Sequence, residues 1–184
     1  MIYKLSPVSK EDGNFTCAWF DDDEHLWHDP RIGMPGSLLS DWDVPELRIY
    51  SKSGSTSVLF NPGAYAVSEL VKEKINCIPG VEFLPIYLQG ECVYYLLHVT
   101  TCIELPKGTD HRLAAGPSGN ISNIYSFPRG CSVPSGFFRI LHPSNSAAGK
   151  AGFYTAETYL SGDESRVVEV ACEGYLKLES VQSS

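Results

Sequence analysis

The sequence predicts an α+β, β-rich fold with a mainly antiparallel sheet and two short helices. Aromatic residues are abundant (10 Tyr, 8 Phe and 3 Trp), and such residues favour strands. Short aromatic and β-branched runs alternate with turn residues along most of the chain. Helical spacing of apolar residues is clear in only one segment. With 184 residues, of which 43% are hydrophobic and 20% charged, residues 1–184 are expected to form a single globular domain.

The predicted strands are short runs bounded by Gly, Pro, Asn, Asp or Ser. In chain order they cover residues 15–20, 47–50, 56–60, 81–88, 92–97, 121–127 and 136–141. Because Gln89-Gly90-Glu91 joins two of these runs with a central glycine, residues 81–97 predict a β-hairpin, whose second strand could continue to residue 103. Arg139 alternates with apolar neighbours, as a strand residue facing solvent would.

The first helix is predicted over about residues 67–75. Its apolar stripe consists of Val67, Leu70, Val71 and Ile75. Ser68 is suited to cap its N-terminus. A second, shorter helix is predicted over about residues 155–160, and residues 166–178 are expected to return as strands around a turn at Glu173-Gly174.

The remaining segments predict loops. Residues 106–120 and 143–152 are rich in Gly, Pro and polar residues. Residues 21–45 are rich in Asp, Pro and Gly and predict an irregular surface excursion. Leu39 and Trp42 are among the side chains expected to pack that excursion down onto the fold.

The net charge of −8 is concentrated in the first half of the chain. Residues 1–92 carry 14 acidic and 7 basic side chains, whereas residues 93–184 carry 8 and 7. Nucleic-acid binding depends on clustered Lys and Arg, so this distribution argues against a nucleic-acid partner. It suits a partner protein with a basic surface, because complementary charge accelerates encounter.

The cysteine pattern and the N-terminus predict a cytoplasmic protein. The six cysteines, at positions 17, 77, 92, 102, 131 and 172, form no CxxC and are expected to be thiols. Residues 1–7 lack the features of a signal peptide. No apolar run approaches the roughly 20 residues that a membrane helix needs, so no membrane partner is expected.

A search for reactive chemistry finds only weak candidates. His25, His28 and Asp29 follow four acidic residues, and imidazole with carboxylate suits a divalent metal, although the spacing matches no recognised site. A nucleophile pair could be drawn between one of three cysteines and one of three histidines: Cys17, Cys92 or Cys131 with His98, His111 or His142. With 6 Cys and 5 His, such a pairing arises easily by chance. No cofactor or metal is therefore expected, and the chain is predicted not to be an enzyme.

The order of several motifs resembles the bacterial polymorphic-toxin immunity proteins of immunity family eleven. These motifs are Tyr3-x-Leu5-x-Pro7, Phe15-x-Cys17, Asp41-Trp42-x-x-Pro45, Val67-Ser68-Glu69, Gly80-Val81-Glu82-Phe83-Leu84-Pro85, Tyr94-Tyr95-Leu96-Leu97-His98-Val99 and Phe138-Arg139-Ile140. The resemblance implies a predominantly β fold encoded beside a toxin gene, often that of a contact-dependent or type VI system. It implies protection by binding the toxin, and it carries over no fixed binding residues.

The acidic first half supplies the predicted toxin-binding residues. They are Asp21, Asp22, Asp23, Glu24, Trp27, Asp29, Asp41, Asp43 and Glu46. Carboxylates can meet catalytic Lys or Arg on a toxin, and a tryptophan can anchor an interface. The run at residues 21–29 is equally consistent with an ordinary solvated face. Two alternatives to an immunity protein stay open: a small metal- or Cys/His-dependent enzyme, and a structural or regulatory partner of a larger assembly.

Overall fold

The computed structural model describes residues 1–7, 18–20, 36, 39–42, 47–49, 58–61, 64–88, 91–115, 121–141 and 157–181. The strands in these ranges are β1 (Ile2–Pro7), β2 (Ala18–Phe20), β3 (Leu47–Ile49), β4 (Val58–Asn61), β5 (Ala64–Ser68), β6 (Val81–Leu88), β7 (Glu91–Val99), β8 (Cys102–Glu104), β9 (Asp110–Ala115), β10 (Ile121–Ser126), β11 (Gly136–Leu141), β12 (Tyr159–Ser161) and β13 (Leu176–Ser180). The helices are α1 (Glu69–Ile75) and α2 (Ser165–Ala171), with a 3-10 turn at Leu39–Asp41. The predicted α+β class with mainly antiparallel pairing is confirmed.

One sheet contains four strands in the order β4-β5-β7-β6, all antiparallel to their neighbours. The predicted hairpin is confirmed, because β6 and β7 pair in antiparallel register from Val81 opposite Val99 to Leu88 opposite Glu91. Strand β7 ends at Val99 and does not continue to residue 103. After Thr100 and Thr101 the chain enters β8, which belongs to the other large sheet.

That second sheet has the order β13-β1-β12-β11-β8. Its pairs are antiparallel except β8 with β11, which run parallel. The N-terminal strand β1 lies inside this sheet between β12 and β13, although the sequence predicts no strand there. Two further pairs, β2 with β3 and β9 with β10, form separate two-stranded ribbons among the described residues.

Two apolar clusters lie on opposite faces of the five-stranded sheet. Successive strand residues point to opposite faces, so Phe137 and Leu160 join one cluster while Phe138 and Tyr159 join the other. The first cluster also contains the inward faces of both helices and of the four-stranded sheet. The second is covered by β10 and the segment that follows it. The sheet is therefore buried on both faces.

Burial on both faces corrects the prediction for Arg139. The alternation of Arg139 with apolar neighbours predicted a solvent-facing side chain, but Arg139 is only 2% exposed. Alternation identifies a solvated face only when one side of the sheet is open. Desolvation lowers the pKa of the Arg139 guanidinium, while the nearby Cys102 acts in the opposite direction.

The C-terminal assignment is corrected as well. Residues 157–158 are non-helical and Tyr159–Ser161 is β12, so the helix predicted over residues 155–160 is wrong in its described part. The second helix is instead Ser165–Ala171, where a strand was predicted. Valine-rich composition favoured a strand, but Val168 and Ala171 are buried at helical spacing and Val170 is exposed, so tertiary packing overrides propensity. The predicted turn at Glu173-Gly174 and a strand after it are confirmed.

The loop prediction for residues 106–120 is also wrong in part. Asp110–Ala115 forms β9 and pairs in antiparallel register with the predicted strand at 121–126. Few residues in this polar segment favour strands, so the sequence does not predict β9. The strand depends on its backbone pairing with β10. Residues 116–120 and the loop prediction at 143–152 lie outside the described ranges.

Helix α1 begins where the sequence predicts its cap. Ser68 has extended backbone, and its hydroxyl accepts a hydrogen bond from the Val71 amide at 3.5 Å. Val71 and Ile75 face the first cluster, but Leu70 is 59% exposed, so its place in the buried stripe was predicted wrongly. Leu70 precedes Val71 by one residue, so its side chain is rotated about 100° around the helix axis from that of Val71 and lies outside the buried stripe.

Replacing Ser68 by Ala is expected to lower the free energy of unfolding by about 0.5–1 kcal/mol, because the first turn loses its capping acceptor. Urea unfolding followed by circular dichroism measures this difference. The exposed Ser132 provides the control, and Ser132→Ala should leave stability unchanged. Equal effects of the two substitutions would show that the long hydrogen bond at Ser68 contributes nothing.

Two glycines join the two large sheets. Gly80 and Gly136 both have positive φ, at 86° and 87°. The Phe137 amide donates to Pro79 O at 2.8 Å, and the Thr100 amide donates to Gly80 O at 2.9 Å. A Cβ atom on either glycine would collide with backbone of the other segment: Phe137 O for Gly80, and Pro79 O for Gly136. The close approach of these backbones therefore requires glycine on both sides.

Candidate functional site

An exposed turn lies across the edge of the four-stranded sheet. The 3-10 turn Leu39–Asp41 contacts β6, the edge strand in the order β4-β5-β7-β6. Two hydrogen bonds hold this segment: the Gly36 amide donates to Thr100 O at 3.1 Å, and Trp42 Nε1 donates to Pro85 O at 2.8 Å. We call Leu39, Ser40, Asp41 and Trp42 the anchored turn.

The anchored turn presents apolar and acidic groups side by side. Leu39 is 56% exposed, and Ser40 and Asp41 are exposed beside it. Trp42 is half-buried, in agreement with its expected packing role. Leu39 was also expected to pack inwards, and that prediction is wrong. The bond from Trp42 Nε1 to Pro85 O holds the end of the turn on β6, whereas the Leu39 side chain is more than half exposed.

Most of the predicted toxin-binding residues lie outside the described ranges. Asp41 is the exception, and the structure places it at an exposed position on the anchored turn. The others, which are Asp21, Asp22, Asp23, Glu24, Trp27, Asp29, Asp43 and Glu46, stay predictions. Leu39, the exposed apolar side chain of the anchored turn, was not among the predicted binding residues. In the sequence Ser37-Leu38-Leu39-Ser40-Asp41, no signal separates a packed leucine from an exposed one.

The histidines considered for catalysis have structural contacts where they are described. His98 is fully buried, and its Nδ1 lies 2.9 Å from Glu82 Oε1, directly across the β6–β7 pair. His111 stacks on the ring of Tyr125 with a centroid separation of 4.9 Å. His25, His28 and His142 lie outside the described ranges. In the ranges that are described, no group of three or more His, Cys, Asp or Glu could hold a metal ion.

The four cysteines whose side chains the structure describes are free thiols: Cys77, Cys102, Cys131 and Cys172. Their exposure differs, since Cys77 lies at the surface and Cys172 is buried. Burial raises the pKa of the Cys172 thiol to about 12, and burial raises that of Cys102 to about 11 despite the opposing effect of Arg139. A protonated, buried thiol is a poor nucleophile.

Alkylation of the native protein at pH 8 is therefore expected to modify Cys77 and to leave Cys172 unmodified until the chain unfolds. Iodoacetamide labelling followed by peptide mass spectrometry measures both rates, and urea provides the unfolded reference. Labelling of Cys172 at the rate of Cys77 in native conditions would contradict the packing of α2 against the sheets.

Comparisons with known proteins add no assignment to this geometry. No protein-family model matches the chain, and a search of curated proteins returns no match. No helix within the described ranges is long and apolar enough to cross a membrane.

Proposed function

We propose that this protein is a bacterial immunity protein that neutralises a cognate toxin by direct contact in the cytoplasm of the cell that makes it. The observation that carries the proposal is the anchored turn, where an exposed leucine and an exposed aspartate lie beside the edge strand β6, with hydrogen bonds from Gly36 to Thr100 and from Trp42 to Pro85 on either side of them. Protein interfaces use apolar anchors ringed by polar groups. The resemblance to immunity family eleven gives the partner class.

Fixing the turn before the partner arrives supports tight binding. A segment that is ordered only on association loses conformational entropy at that step, and this loss subtracts from the affinity. The bonds from Trp42 and Gly36 remove part of that cost in the free protein. The turn therefore suits a role as a preformed contact.

The charge distribution supports a basic partner. Residues 1–92 carry a net charge of −7, and Asp41 belongs to that half. A negative surface accelerates encounter with a positive one, and the effect falls as salt screens it. The acidic run at residues 21–29 belongs to the same half of the chain. On this proposal, replacing Asp22 and Asp23 by Lys slows association and weakens its dependence on salt.

Co-production in a bacterial host tests the proposed function. The toxic C-terminal region encoded beside this chain is induced with or without the full-length protein, and growth is recorded. The proposal expects growth arrest to be relieved and the two chains to co-purify. A non-cognate immunity protein of similar size controls for expression load. Unrelieved arrest, with both proteins present in the cell, contradicts the proposal.

A further inference from the structure

A cleft of about 300 Å³ opens between the five-stranded sheet and the β9–β10 ribbon. It lies on the face of the sheet that carries the second apolar cluster. Volumes of this size are at the lower end of those that hold small ligands. The cleft is separate from the anchored turn, which lies on the edge of the four-stranded sheet.

Three neighbouring strands form the floor of the cleft. Lys4 on β1 lies directly opposite Tyr159 on β12 and, on its other side, opposite Glu179 on β13. Residues that are paired across antiparallel strands project from the same face of a sheet. Lys4, Tyr159 and Glu179 therefore form a row, and all three line the cleft.

The β9–β10 ribbon forms the wall. Tyr125 and Ile124 on β10 and Arg112 on β9 line this side. The ring of Tyr125 meets the ring of Tyr159 edge to face, with centroids 6.4 Å apart. The Phe127 amide donates to Val181 O at 2.8 Å, which joins the end of the ribbon to the end of β13. The two aromatic rings thus form an apolar corner.

The phenol of Tyr159 gives the cleft an unused hydrogen-bonding group. Tyr159 is 1% exposed, and its Oη has no hydrogen-bond partner among the described residues. A buried hydroxyl without a hydrogen-bond partner costs free energy, and a ligand atom that bonds to it would remove this cost. Burial, with a smaller contribution from Glu157, raises the pKa of Tyr159 far above its usual range, and the same two causes raise that of Tyr125 to about 12. Both phenols are therefore neutral donors at physiological pH.

The charges around the cleft leave one uncompensated cation. Lys4 Nζ lies 3.8 Å from Glu157 Oε1, and Glu179 is bonded to Lys177 at 2.8 Å. Ser6 also donates to Glu179 at 3.0 Å. Arg112 is exposed and forms no ion pair with any residue that the structure describes. The remaining positive charge favours an anionic ligand, and a planar carboxylate matches a guanidinium.

We propose that this cleft binds a small organic acid, with its carboxylate between Arg112 and the phenol of Tyr159 and its apolar body against the rings of Tyr125 and Tyr159. The inference does not depend on the immunity function.

Binding of benzoate to the full-length protein tests this proposal. Titration of the ¹⁵N-labelled protein should give saturable shifts at the amides of residues 124–126 and 179–181. A Kd of about 1 mM or lower is expected from the efficiency with which small ligands bind. Benzamide, which has the same shape without the charge, should bind at least about tenfold more weakly, because a charge-assisted hydrogen bond is lost.

Tyr159→Phe separates binding from folding. The substitution keeps the ring and removes an oxygen that bonds to no described residue, so thermal stability should be unchanged or higher. Affinity for benzoate should fall about tenfold. Tyr87→Phe, at an exposed tyrosine on β6, is the matched control and should bind benzoate normally. An absence of saturable shifts, equal affinity for benzamide, or full affinity in Tyr159→Phe would each overturn the proposal.

Discussion

Gly136→Ala is expected to lower the free energy of unfolding by about 3 kcal/mol or more, a large fraction of the stability of an ordinary domain. Two penalties combine at this position. Gly136 has a φ of 87°, which L-residues rarely adopt, and its Cβ would lie 2.8 Å from Pro79 Cγ and even closer to Pro79 O. The backbone carbonyl cannot swing away as a flexible side chain would.

Relief of this clash would break the junction between the two sheets. Pro79 O accepts a hydrogen bond from the Phe137 amide, and Phe137 is fully buried in the first cluster. Moving either backbone segment therefore costs a buried hydrogen bond and well-packed apolar contacts. The damage extends to the four-stranded sheet, because Gly80 O accepts from Thr100 at the end of β7.

Gly130→Ala is the matched control. Gly130 also has positive φ, at 74°, but no described atom lies within 4 Å of a Cβ placed there. This variant should cost only the left-handed backbone penalty, about 1 kcal/mol. Urea unfolding of the two variants separates the energetic cost of a positive φ from the cost of the steric clash with Pro79. Equal stability of Gly136→Ala and Gly130→Ala would contradict the close approach of Pro79 and Gly136.

Leu39→Arg is expected to weaken binding of the proposed toxin partner by about 30-fold or more without changing stability. A central apolar contact in an interface contributes about 2 kcal/mol or more when it is lost, and an arginine would also oppose a basic partner. Leu39 is already 56% exposed, so the free protein loses little packing. Surface-plasmon-resonance or calorimetric titration with the purified toxic domain measures the change.

Leu70→Arg provides a close control for this prediction. Leu70 is an equally exposed leucine, at 59%, but it lies on α1 and outside the anchored turn. Its replacement should leave affinity for the partner intact. Asp41→Lys should mainly slow association and reduce its salt dependence, as expected for a charge at an interface rim. Equal affinity of the Leu39→Arg and Leu70→Arg variants would show that the partner binds elsewhere.

The hairpin β6–β7 and the helix α1 are the elements that the sequence predicts best. Both depend on local signals: the turn residues Gln89-Gly90 between two strand-like runs, and the Ser68 cap before apolar residues at helical spacing. In each, the neighbouring residues in the chain are also the neighbours in space. Local propensity and tertiary structure therefore agree.

The elements that the sequence predicts poorly depend on distant contacts. Helix α2 is rich in valine, a residue that favours strands. Its helical form depends on packing against α1 and the sheets, which buries Val168 and Ala171 on one face of the helix. Strand β1 gains its partners from residues 159–161 and 176–180, at the other end of the chain. Arg139 is buried because it shares the face of β11 that carries Phe137, and β6 and β7 of the four-stranded sheet pack against β11. No local pattern encodes these contacts.

The sequence predicts that the candidate surface is acidic, but it does not predict which residues come together there. The excess of acidic residues in the first half drew attention to Asp41, which is exposed on the anchored turn. The position of Leu39 beside it depends on the bond from Trp42 to Pro85, which joins residues 43 apart in the chain. The cleft likewise combines Lys4 with Tyr159 and Glu179 from the far end of the sequence.

Hydrogen exchange of the complex with its toxic partner tests the contact surface most directly. Exchange is measured by mass spectrometry on the full-length protein, free and saturated with the purified toxic domain. If the toxic domain binds at the anchored turn, exchange slows at residues 36–42 and along β6, with no comparable change in α2. Formation of a tight complex that leaves residues 36–42 and β6 unprotected would contradict binding at this turn.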